Sequence, residues 1–304
     1  MTEANAGGTV RTVAEPLQSI GRDRSFGRGT WSSVGEVASH RQLLWRLITR
    51  EIQAKYKNSS LGIVWSLMRP LAQLLIYYVA IGQVLGAARS IPDFAIFVFT
   101  GLTAWTLYSE IITSGTNSVV NNGGLVKKVY LPREIFPLAA VGAALFNFAV
   151  QLAILIVATL VLGRPPLTLD ILYLPLSVIL ILVFATALAL VLSALNVYLR
   201  DVQHLVEILL LVLFWASPIV YSTGLVHKAI GGTIWEQIYL ANPVTLAVLG
   251  MQKALWVAGS SDKAQFWPDS LWLNMLTAIA VCLVLLWIGQ RVFSRLQANF
   301  AQEL

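Results

Sequence analysis

The chain has 304 residues, of which 57% are hydrophobic and only 12% charged, with a mean hydropathy of +0.72 and a formal net charge of +6. So much apolar surface excludes an ordinary soluble domain and points to lipid as the solvent. The basic balance is accounted for by membrane topology and contact with anionic lipid, so no nucleic-acid partner is expected.

In chain order, residues 1–38 are rich in Gly, Thr, Arg and Ser, lack an apolar core and read as a flexible cytoplasmic tail with nothing for a signal peptidase to remove. Residues 39–60 form an amphipathic interfacial helix. Leu44, Leu47, Ile48, Ile52 and Tyr56 recur at helical spacing, with Arg46, Arg50, Gln53 and Lys57 on the opposite face. Glu51 and Lys55 intrude on the apolar side, where their i,i+4 spacing is expected to pair them with each other.

Six apolar runs follow, at 61–85, 94–120, 135–162, 171–199, 205–221 and 271–293. A spanning helix needs about 20 apolar residues, so the fifth run is short, and the first carries Arg69 near its start. Continuous runs without alternation exclude a transmembrane barrel. The expected fold is therefore an all-α integral membrane protein with six transmembrane helices over 61–295. With the N-terminus inside, sixteen of the 21 lysines and arginines fall on cytoplasmic segments, including Arg46, Arg50, Lys57, Lys127, Lys128, Arg133 and Arg200. Both termini, including a tail at 296–304, are then cytoplasmic.

Two irregular stretches interrupt the spans. Residues 117–137 are a polar loop in which Asn122, Gly123 and Gly124 are expected to end the second span in a left-handed turn. Leu125 to Tyr130 then make a short helix, and Pro132 starts the third span with Glu134 in its first turn. Residues 225–257 are broken by Gly231, Gly232, Asn242, Pro243 and Gly250. Two full crossings would need roughly 40 residues, so this segment is expected to be a pair of short re-entrant helices in the outer leaflet, the second started by Pro243.

Chemistry is sparse. Asp93, Asp170, Glu236, Asp262 and Asp269 on the outside and Glu134, Asp201 and Glu207 on the inside are dispersed, with no acid and base spaced for catalysis. Cys282 is the one cysteine and the three histidines are scattered, so no metal site is expected. No Gly-rich nucleotide loop of the G-x-x-x-x-G-K-[ST] type is present, and any driving energy has to come from ions or from another subunit. Glu110 is the one ionisable group central to a span, facing either a hydrated pathway or a neighbouring helix's hydroxyl. Tyr77, Tyr78, Trp105, Tyr108, Phe214, Trp215 and Tyr221 offer flat faces with polar tips, suited either to a sugar path or to interfacial anchoring.

The run from Tyr56 to Leu71, YKNSSLGIVWSLMRPL, resembles the signature that enters the first span in permease subunits of ABC-2 type polysaccharide exporters. KVYLPREIFPL from Lys128, LRDV from Leu199, SPIVY from Ser217 and the Asn242-Pro243 pair are similar to further elements of that family, so the resemblance runs from about Arg41 to Arg295. It implies a homodimer served by two copies of a separate ABC ATPase, with ATP and magnesium bound there and no cofactor on this chain. A lipid-linked polysaccharide would cross a bacterial inner membrane through the channel between the two permeases. It further implies an ATPase-facing surface of Arg46, Arg50, Lys57, Leu125, Lys127, Lys128, Tyr130, Arg133, Arg200 and Asp201. The aromatics named above and Glu110 would lie along the path. A small-molecule ABC-2 exporter and a membrane-embedded glycosyltransferase are the alternatives.

Overall fold

The computed structural model describes residues 35–57, 64–128, 131–259 and 265–304. Most of the N-terminal tail, residues 58–63 of the signature, Tyr130, Asp262 and Lys263 lie outside them. Every regular element among the described residues is helical. Those used below are α1 (Arg41–Tyr56), α2 (Val64–Tyr77), α3 (Phe94–Asn121), α4 (Gly123–Lys128), α5 (Ile135–Val161), α6 (Tyr173–Tyr198), α7 (Val202–Trp215), α8 (Thr223–Ile230), α9 (Ile234–Ala241), α10 (Pro243–Leu255), α11 (Leu271–Leu296) and α12 (Phe300–Glu303).

Four of these, α3, α5, α6 and α11, are long and apolar enough to cross a membrane. The first and fifth expected spans are not regular helices of that length. α2 contains Pro70 and passes into a π-helical stretch, Tyr78–Val84, while α7 has 14 residues, about 21 Å of helix against a hydrocarbon core of about 30 Å.

α3 is the axis of the fold, with 78% of its most apolar window buried against 17% for α11. Its neighbours approach closely because small residues face each other. A Cβ on Gly115 would stand 2.7 Å from Ala189 Cβ on α6, and one on Gly289 of α11 would stand 2.7 Å from the Ala187 carbonyl oxygen. In lipid, where burial of apolar surface gives little drive between helices, such approach lets packing and polar bonds hold them. Asn196 on α6 supplies one, its Nδ2 donating to the Thr116 carbonyl at 3.2 Å and to Asn117 Oδ1 at 3.2 Å.

At one end, α10 is almost wholly buried against α3 and α6. Pro243 occupies its first turn, as the sequence leads one to expect, and Asn242 caps it by accepting from Val244 N at 3.0 Å. The expected pair of short helices is in fact three, α8, α9 and α10, because Thr233 restarts the chain after Gly232 turns with φ +73°. The α8–α9 hairpin is pinned by Glu236, which accepts from His227 at 2.6 Å and from Gly232 N at 2.8 Å. Those bonds, His227's foremost, hold its carboxyl below the usual range.

At the other end, a second apolar core gathers Leu47 of α1, Val126 of α4, Ile135 and Phe136 of α5, Val197 of α6 and Phe293 and Phe300 beyond. The expected left-handed glycine turn is absent, since Gly123 and Gly124 are the first residues of α4 and neither has positive φ. α3 breaks at Asn122 instead, whose Nδ2 donates back to the Ser118 carbonyl at 2.8 Å. α5 starts three residues after Pro132. Residues 297–304, expected as a tail, fold back so that Phe300 is fully buried and Leu304 lies 3.6 Å from the Cβ position of Gly123.

Candidate functional site

A cavity of about 870 Å³ opens between the end of α1, α2, α3, α5 and α7. Its two walls differ in chemistry, and helical spacing explains each. On α3, Thr106, Ser109, Glu110, Thr113 and Ser114 recur at i, i+3, i+4, i+7 and i+8, which is one continuous stripe. Asn147 and Gln151 extend it across α5 at i,i+4. Opposite stand Tyr77 of α2 and Phe214 and Trp215 of α7, with Trp105 at the edge of the stripe.

The aromatic wall is a connected cluster. Tyr77 stacks on Phe214 with centroids 5.8 Å apart, and Trp105 and Trp215 each meet the same ring edge-on at 5.5 Å. Such rings offer flat faces while keeping their geometry, because each is held by its neighbours.

The polar wall is rich in acceptors. Thr106, Ser109 and Thr113 spend their hydroxyl protons on carbonyls of their own helix, at 2.7, 3.3 and 2.8 Å, which leaves oxygen lone pairs towards the cavity. Glu110 Oε1 accepts from Asn147 Nδ2 at 2.6 Å and from Lys55 Nζ. Gln151, 1% exposed, has a side-chain oxygen without a hydrogen-bond partner among the described residues. Lys55 and Arg69 bring positive charge, and Glu207 a second carboxylate. A net-neutral cavity with flat apolar faces on one side and acceptors on the other suits a polyhydroxylated ligand better than an ion or a purely apolar one.

Of the residues singled out from sequence for a path, Tyr77, Trp105, Glu110, Phe214 and Trp215 line this cavity. Three do not. Tyr78 points to Phe94 at 6.4 Å. Tyr108 is buried at 2% exposure, stacked on Phe184 at 5.9 Å. Tyr221 donates its hydroxyl to the Trp215 carbonyl at 2.7 Å. The α3 stripe, Asn147 and Gln151 escaped sequence reading although their spacing carries the signal; their hydroxyls and amides are too common in helices to stand out. Lys55 escaped because its partner is 55 residues away. Glu51 pairs with Arg50 at 3.0 Å, so the expected Glu51–Lys55 pair does not form.

Of the residues expected to face an ATPase, Leu125, Lys127 and Lys128 belong to α4, and Tyr130 lies outside the described residues. Arg46, Arg50, Lys57, Lys127, Lys128, Arg200 and Asp201 are exposed, while Leu125 and Arg133 are partly covered. Arg133 lies over the Phe300 ring at 5.8 Å. Arg50 also donates to Asn122 Oδ1, at the break before α4.

Residues 42–256 match the family described as ABC-2 type transporter. The O-antigen export system permease protein RfbA of Myxococcus xanthus is 29% identical over 271 residues, covering 89% of this chain and 98% of the relative. A Klebsiella pneumoniae protein of the same name is 25% identical, over 86% of this chain and 95% of its own. The polysialic acid transport protein KpsM of Escherichia coli is 26% identical over 60% of this chain and 70% of its own.

Proposed function

The chain belongs to the ABC-2 type transporter family, and on that premise we propose that it is the membrane subunit of an exporter that moves a lipid-linked polysaccharide out of the cytosol across the bacterial inner membrane. Two copies form the channel and two copies of a separate ATPase, which binds ATP and magnesium, drive it. The observation that carries the substrate class is the two-walled cavity, with Tyr77, Trp105, Phe214 and Trp215 facing an acceptor stripe centred on Glu110. Sugar rings present apolar faces to such aromatics and hydroxyl protons to such acceptors. The names of the similar proteins, an O-antigen export permease and a polysialic acid transport protein, point the same way.

In this reading the first span is α2 with its π-helical continuation and the fifth is α7 with the residues after it, giving six, and α8 to α10 dip into the outer leaflet. Exposed apolar residues on α2 and α7, such as Leu75, Ile76, Ile208 and Val212, are where a second copy or lipid covers the cavity's open side. The basic end around α4 faces the ATPase, both termini being cytoplasmic.

Depleting the chain and analysing lipid-linked glycans on the inner leaflet tests this. One defined polymer is expected to accumulate. Loss of hydrophobic-compound efflux without glycan accumulation would instead indicate a small-molecule exporter. A finer test is Arg133→Glu, expected to insert normally while lowering export and ATPase stimulation about tenfold, the effect of about 1.4 kcal/mol at a charged interface. Normal export by a well-expressed Arg133→Glu chain would remove the α4 end from the ATPase contact.

A further inference from the structure

The contacts of α1 tie the two functional surfaces together. Near its C-terminal end Lys55 donates to Glu110 inside the cavity, on the same Oε1 that Asn147 holds. Five residues earlier, about 7.5 Å along the helix axis, Arg50 donates to Asn122 at the break between α3 and α4. Between these contacts and its start, α1 is seated on α5: Leu47 is buried, and Ile48 occupies the space that a Cβ on Gly142 would fill, its Cδ1 only 2.5 Å from that position.

We propose that Lys55–Glu110 is a substrate-sensing ion pair: glycan hydroxyls entering the cavity take over Glu110, Lys55 is released, and α1 passes the change through Arg50 and Asn122 to α4. The inference rests on the proposed function, since it names the regulation of that same cavity. It stands on three features. The Lys55 side chain is 36% exposed and Glu110, at 17%, still lines the cavity, so a ligand there can reach the pair. Several hydroxyl donors of one glycan can together fill the acceptor sites of the carboxylate that the single ammonium occupies. One rigid helix bears both contacts, so the state of one end biases the other, which is the physical requirement for coupling between sites.

The test uses the permease–ATPase complex in nanodiscs, with lipid-linked glycan extracted from depleted cells as the probe. The wild-type ATPase is expected to be stimulated by about fivefold or more, the lower end of ordinary coupling. Lys55→Met and Glu110→Gln should bring the ratio of stimulated to unstimulated rate close to one, and Asn122→Ala, which removes the acceptor of Arg50 and lies outside the ATPase-facing set, should do the same with the ion pair intact. Lys55→Arg, which keeps the charge and a donor on Glu110, should preserve the ratio, which separates sensing from a folding defect. A Lys55→Met complex that assembles and keeps the wild-type ratio overturns the proposal. If instead the wild type is unstimulated and depletion accumulates no glycan, the proposed function itself fails.

Discussion

Replacing Gly115 by leucine is expected to destabilise the helix bundle by about 3 kcal/mol, the upper part of the usual cost of overpacking a tight core. The Cβ alone would lie 2.7 Å from Ala189 Cβ, and an alanine methyl cannot rotate out of the way. α3 and α6 would have to separate where Gly115 meets Ala189. That motion also stretches the Asn196 bonds to Thr116 and Asn117, which have no water to replace them at that depth. A thermal-unfolding midpoint in detergent should fall in the order wild type, Gly115→Ala, Gly115→Leu. An unchanged midpoint for the leucine variant would mean that the two helices do not approach as closely as described.

Phe300→Ala is expected to leave the membrane helices folded and to impair coupling at the α4 end. A buried Phe→Ala change costs about 3–5 kcal/mol, but here the segment at risk is the chain end, which can undock locally without unfolding the bundle. Phe300 is enclosed by Phe293 at 5.5 Å and Tyr198 at 6.1 Å, with the Arg133 guanidinium over its face. Undocking it removes Leu304 from beneath Gly123 and leaves Val126 of α4 uncovered. Export and ATPase stimulation should then drop several-fold while the amount of monodisperse protein changes little, and Phe300→Leu should retain most of both. Full export by a chain lacking residues 300–304 would show that α4 needs no such floor.

These two predictions draw on different parts of the sequence's legibility. The seam at Gly115 lies in a helix whose extent is plain from composition, since 94–120 is read as a span and α3 runs Phe94–Asn121. Which of its glycines meets a neighbour is invisible, because Ala189 is 74 positions away. The Phe300 core was missed altogether: residues 296–304 look like a tail by hydropathy, and a single aromatic acquires a burial partner only once Val126, Tyr198 and Phe293 converge. The glycine turn before α4 failed for a related reason. Asn122 breaks α3 with its own side chain, leaving Gly123 and Gly124 free to start a helix.

Composition and local spacing were enough for the lipid solvent, the four long apolar helices and the helix start at Pro243, because hydropathy, helix length and capping are local properties written in consecutive residues. The family resemblance was carried the same way, by short contiguous motifs. Tertiary structure alone decided that Tyr108 turns away from the cavity, that Thr106 to Ser114 face it together with Asn147 and Gln151, and that Lys55 closes on Glu110 while Arg50 reaches Asn122. Those facts depend on the rotation of each helix about its axis and on its neighbours. Packing of small residues such as Gly115, Gly142 and Ala189 fixes that rotation, and such packing is a property of pairs of helices that no single stretch of sequence contains.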